Sequence, residues 1–166
     1  FWTFEDARSI KSHIEAADSS VVVGAGLLGI DLAAITAAQD VEGKYLMRGN
    51  NWWRYALSEE GAEIIHDALR ERNVEPVFQS GVDHFEVDDD GRVTTAVDPN
   101  GEAFDADFVG IAIGLDFNTE ILQDTPIECD DGVIVDEYLR TNHDDVFAAG
   151  DITEFEDLIL GERGQN

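Results

Sequence analysis

Three glycines, Gly24, Gly26 and Gly29, stand at the spacing G-x-G-x-x-G, which can bring main-chain N–H groups up against a phosphate. The spacing alone is common, and its flanks give it weight. Val21-Val22-Val23 before it is an all-apolar, β-branched run of the kind that forms a strand buried on both faces. The alanine-rich stretch of residues 30–38 after it reads as an apolar helix. In that setting Gly24 permits a tight turn, Gly26 lets the backbone approach a pyrophosphate, and Gly29 lets the helix pack close to the strand. Gly24, Ala25, Gly26, Leu27, Leu28 and Gly29 are therefore the candidate site for a dinucleotide. Its anion would rest on free N–H groups at the helix N-terminus, where the helix dipole favours negative charge. The competing reading is a tight strand-to-helix turn that binds nothing.

A site for NAD usually carries Asp or Glu about 20 residues further on, at the end of the second strand, to accept the ribose 2′-hydroxyl. Residues 43–57 contain no carboxylate, and the predicted second strand, 44–48, ends on Arg48. A guanidinium suits a 2′-phosphate and cannot replace a carboxylate acceptor. Arg48, with Arg54, points to NADP(H); the alternative is that Arg48 stacks on adenine or faces solvent and either cofactor is taken. Trp52 and Trp53 in the same loop could wall an adenine pocket, although such pairs more often serve packing or an interface.

These residues need a scaffold. A first helix is predicted over 4–17, where Thr3 and Asp6 have the form of a capping box. Strands over 21–23, 44–48 and 74–78 alternate with helices over 30–38 and 59–72, the latter capped by Ser58. Such alternation makes a parallel sheet with right-handed crossovers. Strands over 82–87, 92–97 and 102–104 follow with turn signals between them and no helices, an antiparallel meander. Residues 108–113 return as an apolar strand, and 132–135 and 146–149 as two more. The fold class is α/β: a Rossmann-like parallel sheet with helices and an antiparallel β-meander, in three layers of ββα type.

Among 166 residues, 37 are Asp or Glu and 10 are Lys or Arg, a formal charge of -27. That balance argues against nucleic acid and anionic membrane as partners and fits a salt-adapted host. Hydrophobic residues at 43% supply a core, so the chain is not an acidic disordered tail. No apolar run reaches the ~20 residues of a membrane span, and a cytoplasmic location is expected. A single Cys129 excludes a disulfide framework within the chain and is not read as a redox nucleophile. The four histidines lack ligand spacing, so no metal site is expected, and His66 reads as a surface or boundary residue. Glu86, Asp88 and Asp90 read as a hairpin with solvated acids rather than a calcium loop, and residues 154–157 as a solvated helix start.

Residues 21–34, the meander, Ala112-Ile113-Gly114, and Leu139-Arg140-Thr141 running on to Val146-Phe147-Ala148-Ala149-Gly150-Asp151 resemble the FAD-dependent pyridine nucleotide-disulfide oxidoreductases. The likeness is ordered along nearly the whole chain. It implies that Gly24, Gly26 and Gly29 hold the pyrophosphate of NAD(P)H, that Gly114 lies near the bound nicotinamide nucleotide, and that Gly150 and Asp151 meet FAD. Asp31 stands where the family often has Glu, one methylene longer, and Asp116-Phe117-Asn118 where it often has Arg-Pro-Asn. It further implies a linker helix over 1–18 from a missing flavin domain, an NAD(P)-binding domain over 19–115, and a partial return segment of the FAD-binding domain over 116–166. The parent protein would pass hydride from NAD(P)H to FAD and on to a disulfide, dioxygen, quinone or protein acceptor. Without the family's own FAD loop the segment alone should not turn over, and none of its residues is a candidate catalytic acid, base or nucleophile. The alternative is a non-catalytic NAD(P)(H)-sensing domain, which would have no need of Gly150-Asp151. Apolar pieces left without a flavin domain are expected to find another surface, in a homo-oligomer or by segment exchange.

Overall fold

The structure, a computed structural model, describes residues 3–54 and 56–156, and the main chain of 163–165. The chain divides into two units, Phe1–Gly114 and Leu115–Asn166. Among the described residues, no helix is long and apolar enough to cross a membrane.

The first unit opens with helix α1, Phe4–Glu15. Its capping box is formed: the Asp6 N–H donates to Thr3 Oγ1 at 3.1 Å and the Thr3 N–H to Asp6 Oδ2 at 2.8 Å. Strand β1, Ser19–Val23, follows, then helix α2, Leu27–Ala38, and strand β2, Glu42–Met47. Helix α3, Glu59–Arg70, is capped by Ser58, whose hydroxyl accepts the Gly61 N–H at 3.2 Å, and leads to strand β3, Val74–Phe78. After the meander strands β4, His84–Val87, β5, Val93–Val97, and β6, Ala103–Asp105, the chain returns as β7, Phe108–Ile111. The main sheet has the order β3-β2-β1-β7 with every pair parallel, and β4-β5-β6 form a separate antiparallel sheet.

The all-valine run of β1 has a direct cause. Val22 packs on the helix side, in a core with Ala33, Ala37, Tyr45, Met47, Trp52, Leu69 and Val74. Val21 and Val23 face the other way, into a core with Leu46 and the meander residues Ala96, Phe104 and Ala106. With both faces covered there is no solvent side to write in polar residues. Each valine so buried contributes about 2 kcal/mol. This sandwich of helices, parallel sheet and meander is the three-layer ββα arrangement.

The acids of the meander serve its turns. An Asp88 carboxylate oxygen accepts the N–H groups of Asp90 and Arg92 at 2.9 and 2.8 Å. Asp98 accepts those of Asn100 and Glu102, both at 2.8 Å. Burial alone would push the Asp98 carboxyl up, but the hydrogen bonds from Glu102, Asn100 and Ser80 outweigh it and hold the group below the usual range.

The second unit holds a 3-10 turn, Thr119–Leu122, and strands β8, Val133–Ile134, β9, Thr153–Glu156, and β10, Arg163–Gln165, in the order β10-β9-β8. Two expectations fail here. Residues 146–149 form no strand: Phe147 makes one isolated bridge to Arg140, and its side chain is 62% exposed. Their apolar run finds no ladder and bonds back to the preceding turn, the Ala148 N–H on the Leu139 oxygen at 3.2 Å and the Thr141 N–H on the Val146 oxygen at 3.1 Å; that turn is built on Asp136, which accepts the Tyr138 and Arg140 N–H groups and pairs with the Arg140 guanidinium at 2.7 Å. Residues 154–156, read as a helix start, belong to β9, because Glu-Phe-Glu also has the two-residue period of a strand and pairs on both sides. Asp157 of that expectation, and Phe1 and Trp2 of the expected linker, lie outside the described residues.

Candidate functional site

The three glycines of the turn do different work. Gly24 has φ +120°, and a Cβ added there would lie 2.0 Å from the Ala112 carbonyl oxygen. A Cβ on Gly29 would lie 1.9 Å from the Gly24 oxygen and 2.8 Å from the Tyr45 hydroxyl. These two positions are glycine because neighbouring backbone occupies the side-chain space. Gly26 is different: its φ of -100° suits any residue, and an added Cβ would meet nothing within 4 Å.

That open side faces a cavity of about 470 Å³. Gly24, Ala25 and Gly26 form one wall, Arg48, Trp53 and Arg54 from the loop after β2 another, and Ala112, Ile113 and Gly114 after β7 a third. It lies beyond the C-terminal ends of parallel strands, where ligands of open α/β sheets bind. Gly26 is the N-cap of α2 and supplies no side-chain cap, and the first turn carries no acidic residue. The positive end of the helix dipole is thus uncompensated from within the helix, and its N-cap Gly26 lines the cavity, an arrangement suited to an anion. Arg48 is exposed just past the end of β2, and the Arg54 side chain lies over Gly49, its Cδ 3.3 Å from where a Cβ there would sit.

Of the candidate residues, the cavity gathers Gly24, Ala25, Gly26, Arg48, Arg54 and Gly114, the last at φ +133°. Leu27 and Leu28 are more than half exposed at the start of α2 and lie outside the cavity lining, as does buried Gly29. Asp31 is exposed on α2 and also outside it. Gly150 and Asp151 belong to the second unit. Gly150 there has φ +90° and its carbonyl accepts the Thr153 N–H at 3.0 Å and hydroxyl at 2.7 Å, while Asp151 is exposed.

The tryptophan pair divides between two roles. Trp53 lines the cavity, whereas Trp52 is buried in the helix-side core. His66, expected at the surface or its boundary, is 1% exposed: its Nε2 accepts the Trp52 N–H at 3.1 Å, its Nδ1 meets Glu63 at 3.0 Å, and its ring packs on Phe78. The Arg70 guanidinium, then His66, hold the Glu63 carboxyl below its usual range. Tyr45 carries no signal in the sequence beyond its place on a strand, yet its hydroxyl donates to the Gly24 oxygen at 2.7 Å, and burial pushes its ionisation well above the ordinary phenol range.

A strand-turn-helix with an open glycine, an uncapped helix N-terminus and two arginines across the cavity defines a protein of the dinucleotide-binding class. Residues 2–164 match the pyridine nucleotide-disulphide oxidoreductase family, and the chain belongs to it. The family depends on FAD and NAD(P)H. Rhodocoxin reductase of Rhodococcus erythropolis is 29% identical over 153 residues, 92% of this chain and 36% of that protein. NADH oxidase of Enterococcus faecalis is 30% identical over 149 residues, 89% of this chain and 33% of that one. The solved structure of an NAD-dependent persulfide reductase from A. fulgidus superposes with a TM-score of 0.89 at 28% identity, over 99% of this chain and 31% of its own. The chain thus spans about a third of the length of the relatives it matches.

Proposed function

We propose that this chain is the nucleotide-binding segment of a flavin-dependent NAD(P)H oxidoreductase and that it takes NADP(H) in preference to NAD(H). The observation that carries the reading is Gly26, the one glycine of the loop with no structural need to be glycine, set before an uncapped helix N-terminus. The first-turn N–H groups of α2 would hold the pyrophosphate, and Arg48 and Arg54 would hold a 2′-phosphate in place of the carboxylate that serves NAD. When bound, the nicotinamide supplies a hydride and the flavin accepts it. Gly114 ends the cavity wall beside that nucleotide, and Ala112-Ile113 give it an apolar side. We assign 1–18 to a linker helix, 19–115 to the nucleotide domain, and 116–166, with Gly150 and Asp151, to the flavin-contacting side of the parent protein; this division rests on the family resemblance.

Calorimetric titration tests the reading. NADPH is expected to bind at least about tenfold more tightly than NADH, the worth of one charge-assisted contact. Arg48→Glu should close that gap. Gly26→Ala should weaken both nucleotides about tenfold or more without lowering the melting temperature. Absence of binding overturns the function, and equal affinities overturn the cofactor preference alone.

A further inference from the structure

Each of the three leading carbonyls of the glycine turn is held by a hydrogen bond from β2 or the loop after it. The Gly24 oxygen accepts the Tyr45 O–H at 2.7 Å, the Ala25 oxygen accepts the Trp53 N–H at 3.3 Å, and the Gly26 oxygen accepts the Trp52 Nε1–H at 3.3 Å. Because a peptide unit is planar and trans, fixing the oxygen of one residue fixes the N–H of the next in the opposite direction. The N–H groups of Ala25 and Leu27 are thereby turned away from the buried Tyr45 and Trp52, and that of Gly26 away from the Trp53 main chain. A carbonyl swung outward in their place would set a partial negative charge against any phosphate.

The donors are themselves fixed. Trp52 is 7% exposed, and its main-chain N–H is tied to His66 Nε2 at 3.1 Å. His66 is oriented by Glu63 at 3.0 Å, and Glu63 in turn by Arg70 at 2.7 Å. Trp53 adopts φ +47°, a backbone conformation disfavoured for a bulky side chain, and from it donates its N–H to Ala25. Gln79 closes the other side of the loop, with its N–H on the Gly49 oxygen at 3.1 Å and its amide on Asn50 at 2.8 Å.

We infer that Tyr45 and Trp52, the latter held by His66, are positioning residues that preset the amides of the glycine turn for a pyrophosphate. The inference rests on the dinucleotide reading of the cavity. None of the three touches the ligand: they act on the carbonyls behind it, so their loss should be felt only by ligands that use the loop amides.

The test uses the whole chain with Trp52→Phe and Tyr45→Phe, each of which keeps a ring in place and removes one donor. Two ligands are titrated: NADPH, and adenosine 2′-monophosphate, which lacks the pyrophosphate. Nuclear magnetic relaxation of the 25–27 amides is followed without nucleotide. Both variants should bind NADPH about fivefold to tenfold more weakly, the worth of one hydrogen bond. Adenosine 2′-monophosphate should bind as before, and the amide relaxation of Ala25 in Tyr45→Phe and of Leu27 in Trp52→Phe should report added fast motion while the meander stays rigid. His66→Phe, which strips Trp52 of its acceptor, should move the same readouts in the same direction. An equal loss for both ligands, or unchanged loop relaxation, overturns the inference. If the starting chain binds neither ligand, the dinucleotide reading falls, and the amide relaxation still decides whether these side chains set the loop.

Discussion

Two glycine turns carry the family likeness, and they are built in opposite ways. The turn at residues 24–29 is determined from all sides: two of its glycines have no room for a Cβ, and all three of its leading carbonyls are bonded to the strand and loop behind. The turn at Gly150-Asp151 in the second unit is open: a Cβ on Gly150 would meet nothing within 4 Å, and Asp151 is exposed. In the first, glycine is demanded by neighbouring atoms. In the second it is demanded only by φ +90°. A crowded turn keeps its shape without a ligand, whereas an open one owes its shape to its own backbone and to the Thr153 bonds on the Gly150 carbonyl.

Alanine substitutions measure that contrast most directly. Gly29→Ala sets a methyl 1.9 Å from a backbone oxygen, so helix α2 must move off the turn. It is expected to cost about 3 kcal/mol or more in urea melts, and Gly24→Ala about as much, since strain at φ +120° adds to its clash. A loss below about 1 kcal/mol at both would show that the first turn is as loosely built as the second. Gly150→Ala meets no atom and carries only the left-handed penalty, about 1 kcal/mol. A loss equal to that at Gly29 would mean that the open turn is crowded after all.

The smallest effect is acid sensitivity, and each unit has its own source. In the first, the Ser19 hydroxyl, joined by the N–H groups of Asp18 and Ser19, outweighs partial burial and holds the Asp107 carboxyl below its usual range at the foot of β1. In the second, the Arg140 guanidinium does the same for Asp136. A lowered native value means that the stabilisation is present above the unfolded value of about 3.9 and fades as pH falls through the native one. Melting temperatures should therefore be steady with respect to these two groups from pH 7 to about pH 5 and fall below about pH 4. Asp107→Asn should flatten the fall in the first unit and leave that of the second; a fall unchanged in both would discharge Asp107 from this role.

Which parts of this were legible in the sequence follows from the range of the interactions. The strand-turn-helix around Gly24 is local: a β-branched run, a glycine spacing and an alanine helix all lie within about twenty consecutive residues, and each level agrees with the next. The meander was legible for the same reason, since its turns are made by acids bonding N–H groups two and four residues on. The bracing of the turn was not, because it joins residue 24 to 45, 26 to 52 and 52 to 66. For His66 a signal existed: it stands four residues after Ala62 and three before Leu69, on the face those residues bury. Its polar type hid it, because a histidine reads as solvent-facing until a specific acceptor role is known. The false strand at 146–149 is the converse case, apolar residues in a strand-like run that leave Phe147 largely exposed. For the site itself, spacing pointed to Gly26 and Arg48 but could not separate cavity-lining Trp53 from buried Trp52, one residue apart.

The two cores on either side of β1 also act as a ruler. Val22 fits only the helix-side core and Val21 and Val23 only the meander-side core, so a slip of one residue would misplace all three at once. Such a slip would carry the end of the strand about 3.3 Å along its axis, more than the tolerance of a hydrogen bond to a phosphate oxygen. Two oily layers thus set the address of Gly24, and with it the height at which the amides of the turn meet the solvent.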